Sequence, residues 1–265
     1  MEFFVRILFM NTVLPVYKTR ALTCGQLITQ FKTNFSIYTQ EKISVAGRLD
    51  PMAEGLLLLL IGEANKQRHF YQSLEKQYLT QILFGVETDT YDVLGLITKI
   101  ATPPPLAQLE QKLPKLISTL KGTYHQAFPP FSSKTVGGKP LYYWTRKGVI
   151  FPTYPTKEIT INQFKIKKFC LKKSGDIVKK IISDVSQITG DFRQESILHR
   201  WREVQNNLSS VFPLVTVEIT CSSGTYIRSI ADEIGKQIGC GAIAYTIKRT
   251  RIGNYTTKDA IKLDS

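Results

Sequence analysis

One carboxylate stands where chemistry would need it, in the segment Gly47-Arg48-Leu49-Asp50-Pro51-Met52-Ala53-Glu54-Gly55-Leu56. Asp50 lies between a basic residue and a proline, bounded by glycines. The chain runs from it straight into the continuous apolar stretch Leu56 to Ile61. A carboxylate carried on a loop by a rigid scaffold is a good catalytic arrangement. An Asp-Pro pair also makes turns in which Asp bonds its own backbone, and spacing alone favours that plainer reading. Other constellations are weaker. Glu87, Asp89 and Asp92 could hold a metal, but an acidic turn explains them more simply. His69, His125 and His199 show no ligand spacing, and no Ser-His or Cys-His arrangement is legible. Cys24, Cys170, Cys221 and Cys240 lie far apart without a CxxC, so neither a zinc site nor a disulfide framework is indicated. No metal or cofactor is expected.

The chain has 265 residues, more than one average domain and less than two. Apolar residues at 43% and charged residues at 21% allow a real core. The longest apolar run falls far short of the ~18 residues that a membrane-spanning helix needs. The start, Met1-Glu2-Phe3-Phe4, has only Arg6 as a nearby base and no small-residue cleavage site, so no signal peptide is expected. These features point to a soluble, cytoplasmic protein of a reducing compartment. Lys plus Arg number 35 against 21 for Asp plus Glu, a net charge of +14. Residues 1–130 hold 13 basic and 10 acidic residues, and residues 131–265 hold 22 and 11. Excess charge gathered into one half is the footprint of a polyanion partner, nucleic acid ahead of an anionic membrane.

Several elements must position these groups. Leu27, Ile28, Phe31 and Phe35 at helical spacing predict a short amphipathic helix over 24–35. Leu56 to Ile61 reads as a buried central strand. Tyr78, Thr80, Ile82 and Phe84 share one side of a strand over 76–85. Thr102 and Pro103 to Pro105 open a helix striped by Leu106, Leu109, Leu113, Leu116, Ile117 and Leu120, with an awkward Pro114 inside and Gly122 as its stop. Residues 125–150, rich in Gly, Pro, aromatics and Lys, read as a loop that contacts something. Strands follow at 157–171, 213–221 and 242–252, with a helix over 225–238. Residues 174–208 read as polar and helical, with Ile177, Ile181, Ile182, Val185 and Ile188 as one stripe. Strands mixed with helices in no regular βαβ rhythm predict an α+β fold on a mixed, mostly antiparallel sheet.

Four stretches in order carry a family resemblance. The Asp50 segment resembles the active-site loop of pseudouridine synthases, whose Arg-Leu-Asp triplet several branches share. Lys76-Gln77-Tyr78 leading to Phe84-Gly85-Val86-Glu87-Thr88-Asp89-Thr90-Tyr91-Asp92 resembles a strand and turn of the TruB family. Pro129-Pro130-Phe131-Ser132-Ser133-Lys134 with Gly138-Lys139-Pro140-Leu141-Tyr142 resembles that family's RNA-contacting loop. Cys221-Ser222-Ser223-Gly224-Thr225-Tyr226-Ile227-Arg228-Ser229-Ile230, continued through Gly235 and Gly239-Cys240-Gly241-Ala242, resembles its second catalytic segment. The match covers roughly residues 40–150 and 213–262.

The resemblance implies the pseudouridine synthase catalytic fold with flanking helices and a central RNA-binding cleft. It also implies conversion of the T-loop uridine of tRNA to pseudouridine. Asp50 would be the nucleophile, with Arg228 holding it ionised through a charge-assisted hydrogen bond. A surface arginine is the plainer alternative for Arg228, although its charge at a helix start would oppose the dipole. Tyr78 matches the tyrosine that stacks on the flipped base and could assist proton transfer, and Tyr226 and Ile247 match substrate-lining positions; all three could equally be core. Lys134, Lys139, Arg146 and Lys147, interleaved with Tyr142, Tyr143 and Trp144, would contact RNA by charge and stacking. Lys165, Lys167, Lys168, Lys172 and Lys173 form a second basic run, more simply read as a solvated strand edge.

The sequence departs from the family at several points. Val45 and Ala46 stand where a His-Thr pair is usual, and only Lys18 survives of a Lys-Pro-x-Gly motif. Residues 172–212 read as an insertion relative to short bacterial members, one that could grip tRNA outside the T arm. The chain stops at Ser265, without room for a carboxy-terminal PUA domain, so a single catalytic domain over 1–265 is expected. The T arm of tRNA is the expected partner of a monomer, with no membrane and no obligatory protein partner. Two alternatives stay open: the same chemistry on a different RNA, or a tRNA-binding or RNA-folding protein with little catalysis.

Overall fold

The structure, a computed structural model, describes residues 11–205 and 208–263. The amino-terminal stretch read above for a leader lies outside the described residues. Strands β1 (Val13–Lys18), β2 (Ile43–Val45) and β3 (Ala53–Ile61) open a ten-stranded sheet. Along β3, Leu57, Leu59 and Ile61 enter one core while Leu56, Leu58 and Leu60 enter another, all fully buried. An apolar residue at every position is what a strand covered on both faces requires.

The strand predicted over 76–85 is β4 (Lys76–Phe84). After it, β5 (Val86–Thr88) and β6 (Ile97–Ile100) pair with each other outside the main sheet. β7 (Gly122–Ala127) returns to the sheet's edge, and β8 (Thr135–Val136) with β9 (Lys139–Pro140) makes a minimal hairpin. The main sheet is completed by β10 (Thr156–Lys173), β11 (Val211–Cys221), β12 (Ala242–Ile252), β13 (Tyr255–Thr256) and β14 (Ile261–Lys262). Its order is β14-β1-β3-β12-β4-β11-β10-β7, with β2 joined to β3 and β13 to β12. Among the described residues only β1–β14 and β3–β12 pair in parallel. The mixed, mostly antiparallel α+β fold read from the sequence is the fold observed.

Seven helices flank the sheet among the described residues: α1 (Cys24–Asn34), α2 (Arg68–Ser73), α3 (Leu106–Thr119), α4 (Leu141–Arg146), α5 (Ser174–Ser186), α6 (Gln194–Val204) and α7 (Ile227–Ile238). Helix α1 begins at a capping box, in which Thr23 Oγ1 accepts from the Gln26 amide at 3.1 Å and Gln26 Oε1 accepts from the Thr23 amide at 2.7 Å. Helices α1, α3 and α7 bury their stripes against one face of the sheet, among Phe84, Val215, Ala242 and Ala244. The α5–α6 hairpin covers the other, with Ile181 and Trp201 packed against Leu83, Leu214, Ile243 and Tyr245. Neighbouring strand residues fall into opposite cores, as the two-residue period of a strand demands.

Helix α3 spans the predicted stripe with Pro114 inside it, and Leu109, Leu113 and Ile117 are buried on its inner side. One expectation changes. Residues 125–150 are not a plain loop, since they contain the end of β7, the β8–β9 hairpin and α4. Trp144 ties that unit together by donating its indole N–H to the Val136 carbonyl at 2.9 Å. The lysine run of β10 behaves as a strand edge: β7 pairs only with Thr156 to Ile161, and Lys165, Lys167, Lys168 and Lys173 beyond it are exposed.

Candidate active site

Asp50 sits in the turn that leads into β3. Its carbonyl accepts from the Ala53 amide at 3.0 Å, so the Asp-Pro turn forms as spacing suggested. The side chain goes elsewhere. Three buried anchors fix the turn from below. The Lys18 ammonium donates to the carbonyls of Ala53, Pro51 and Thr19 at 2.6, 3.1 and 3.1 Å. Arg249 donates from Nε to the Leu56 carbonyl at 2.8 Å and from Nη1 to the Arg48 carbonyl at 3.2 Å, straddling Asp50. The Leu49 amide meets the Cys24 sulfur at 3.5 Å. Burial lowers the Lys18 ammonium to about 8, against pulls from Cys24, Asp50 and Glu54.

Arg228 reaches the turn from the first residues of α7. Its Nε lies 2.7 Å from Asp50 Oδ2, and Nη1 donates to the Thr90 carbonyl at 2.6 Å. Nη2 makes a longer contact of 3.4 Å to the Phe131 carbonyl. The arginine is not on the surface: its side chain is 4% exposed, while that of Asp50 is 42% exposed. Asp92 Oδ2 stands 3.7 Å from the same Nε. Burial works against the Arg228 cation, but Asp50 and Asp92 outweigh it and hold the guanidinium protonated. Burial likewise pushes the Asp92 carboxyl up, opposed by Arg228, the Thr90 hydroxyl and the Leu94 amide. The three acidic residues considered for a metal therefore have protein partners: Glu87 faces Lys99 at 3.5 Å, Asp89 binds Arg193 at 2.6 Å and Asp92 lies under Arg228.

The aromatic candidates surround this pair unevenly. Tyr78, on β4, is opposite Arg249 in the ladder and 8% exposed. Burial raises its phenol, which lies beside the Arg249 guanidinium. Tyr226 is the residue before α7, its backbone clamped by the Gln126 amide group at 2.8 and 3.1 Å and its ring edge-on to Phe128 at 5.6 Å. Burial, then Asp50, raises its hydroxyl. Ile247 lies in β12 opposite Ala53, in the core that also contains Tyr78.

The candidate RNA contacts are exposed and interleaved with aromatics. The Lys134 ammonium lies 5.4 Å from the Phe128 ring, and Lys139 and Lys147 flank the ring of Tyr143 at 5.6 and 5.3 Å. Arg146 differs from them, because its guanidinium pairs with Asp191 at 2.5 Å. Sequence reasoning missed Arg249 and Arg193. A signal existed for the first, an arginine inside the apolar strand pattern 242–252. Arg193 gave none, since it meets Asp89 across 104 residues.

Among solved structures, the chain is similar to one in the crystal structure of a Cbf5–Nop10–Gar1 complex, with a TM-score of 0.60 and 16% identity over 98% of this chain. It spans 54% of that chain's length, so the likeness is one of fold. Curated relatives are nearer in sequence. The tRNA pseudouridine synthase B of Caldicellulosiruptor saccharolyticus is 29% identical over 255 residues, covering 96% of this chain and 72% of that protein. That of Endomicrobium trichonymphae is 30% identical over 239 residues, covering 89% and 84%. The model of the TruB family pseudouridylate synthase N-terminal domain matches residues 36–188, more than half of the chain. The fold is thus that of a pseudouridine synthase catalytic domain. The chain belongs to the TruB family.

Proposed function

We propose that this protein is a tRNA pseudouridine synthase that isomerises the T-loop uridine, with Asp50 as the nucleophile. Membership of the family and the names of the relatives support the activity and the tRNA substrate. One observation carries the site: the exposed carboxylate of Asp50 is held at 2.7 Å by the buried, protonated Arg228. The reaction breaks the N1–C1′ bond of uridine and forms a C5–C1′ bond. The proton lost from C5 is balanced by the one gained at N1, so no redox equivalent is consumed. Asp50 attacks the ribose side of the scissile bond while Arg228 keeps it ionised. Tyr78, its phenol kept neutral by burial, suits stacking on the base and hydrogen-bond donation better than proton abstraction. The base must leave its stack to reach Asp50.

Lys139 and Lys147 around Tyr143, with Lys134 over Phe128, would bind the T arm, and Arg146 would first have to release Asp191. Among the described residues no helix is long and apolar enough to cross a membrane, and action on tRNA fits a monomer in the cytoplasm. The test is pseudouridine formation in an unmodified tRNA transcript, mapped to the nucleotide. Signal at the T-loop uridine supports the proposal. Signal only at another position or in another RNA replaces the substrate, and tight tRNA binding without pseudouridine anywhere replaces the activity.

A further inference from the structure

The segment between α5 and α6 touches the catalytic neighbourhood at several points. Arg193, in the left-handed region at φ 63° and ψ 27°, turns its fork onto Asp89, with Nη1 at 2.6 Å from Oδ2 and Nη2 at 3.1 Å from Oδ1. Its guanidinium carbon lies 4.3 Å from the centre of the Phe131 ring. Asp89 Oδ1 also accepts from the Leu96 amide at 2.9 Å, closing the acidic turn. The two backbone carbonyls that receive Arg228 belong to Thr90, next to Asp89, and to Phe131 itself. One side chain therefore grips both segments from which Arg228 hangs. The same connection is tied down by Gln194, whose amide group donates to the carbonyls of Ile188 and Gly190 and accepts from the Phe192 amide. It also meets the RNA-facing unit, through Asp191 and Arg146.

We propose that Arg193 is a positioning residue for catalysis: by joining Asp89 to Phe131 it fixes the Thr90 and Phe131 carbonyls and so aligns Arg228 on Asp50. This rests on the reading of Asp50 and Arg228 as the catalytic pair. Arg193 is suited to the task where lysine is not, because the planar fork binds a carboxylate bidentately while its face stacks on an aromatic ring. Both partners are largely withdrawn from water, with side-chain exposures of 22% and 24%, so the pair is screened less than a surface salt bridge.

The experiment measures kcat and KM on a tRNA transcript for Arg193→Gln, Asp89→Asn, the double variant and Arg193→Lys. Leu198→Ala, which trims a partly buried side chain of the same hairpin without touching Arg193, Asp89 or Arg228 themselves, serves as the control. A misaligned catalytic group costs rate out of proportion to the displacement, so Arg193→Gln should lower kcat by about tenfold to a hundredfold with KM within about threefold. Asp89→Asn should lose a similar factor, the double variant no more than either alone, and Arg193→Lys should recover part of it. Leu198→Ala should lower Tm and leave kcat unchanged. An unchanged kcat in Arg193→Gln, a loss confined to KM, additive losses in the double variant, or an equal kcat loss in Leu198→Ala would each overturn the inference. Retained turnover in Asp50→Asn would instead overturn the reading on which it rests, leaving the two failures distinguishable.

Discussion

Arg228 Nε stands 2.7 Å from Asp50 Oδ2, with the arginine buried and the aspartate open to solvent. A cation withdrawn from water is held by two backbone carbonyls and a buried carboxyl, and it presents one accessible carboxylate to solvent. Replacing Arg228 by lysine keeps a charge but cannot satisfy Asp50, Thr90 and Phe131 in one plane. Arg228→Lys should therefore reduce kcat by about a hundredfold with little change in tRNA affinity. Single-turnover rates at saturating tRNA check this, and a variant within a few-fold of wild type would show that the pair does not matter to chemistry.

Gly55 follows Asp50 by five residues at φ 108°, and a Cβ there would lie 2.3 Å from the Arg249 carbonyl oxygen. The parallel crossing of β3 and β12 at this point is what lets Arg249 reach both sides of the Asp50 turn. Gly55→Ala combines backbone strain with overpacking, for an expected loss of about 2 to 5 kcal/mol. Urea denaturation measures it, and a loss within the scatter of surface substitutions would mean that the strands part without cost.

Lys18 makes stability depend on pH. Its ammonium is lowered to about 8 in the folded chain, whereas an unfolded lysine titrates near 10.4. Between these values the unfolded chain holds a proton that the folded chain has released, so the Lys18 contribution grows as pH rises and is lost as pH falls through about 8. Relative to Lys18→Met, which cannot titrate, wild type should gain up to about 3 kcal/mol between pH 7.5 and 10.5. A difference independent of pH would show that Lys18 stays charged when folded.

Much of this arrangement was legible in the sequence, for reasons that can be named. The Leu56 to Ile61 run announced a strand covered on both faces, and the alternation at Tyr78 to Phe84 announced its neighbour. Asp50 is the single aspartate of a glycine-bounded loop, where spacing alone favours a plain turn. The family resemblance then joined it to Arg228 across 178 residues, a distance no spacing rule spans. The clamp by Arg193 was hidden because its residues come from three separate segments and share no pattern. Pro114 is read as awkward inside the α3 stripe because local propensity disfavours it there, yet the buried Leu109, Leu113 and Ile117 keep it within the helix. The lysines and aromatics of residues 125–150 hid a small folded unit because its hydrogen bonds, such as Trp144 to Val136, are made within a polar, turn-rich sequence.

The α5–α6 hairpin carries exposed Lys179, Lys180 and Arg202, and its expected role is to grip tRNA beyond the T arm. Deleting it is a poor test, because Trp201, Ile181 and Ile197 are fully buried and their loss would open the core. Reversing the three charges to glutamate spares those buried side chains, at the cost of the Lys180 ion pair with Asp184. Affinity for whole tRNA should fall more than affinity for an isolated T arm, and its salt dependence should weaken by roughly one unit for each phosphate no longer neutralised. Equal losses on both RNAs would refute the grip.

The most direct measurement is single-turnover pseudouridine formation at the T-loop uridine by wild type and Asp50→Asn, with tRNA affinity determined for both. The asparagine variant, isosteric but without a nucleophilic carboxylate, should bind tRNA as wild type does and form no pseudouridine. Pseudouridine formed by Asp50→Asn at a measurable fraction of the wild-type rate would contradict it and remove Asp50 from the chemistry.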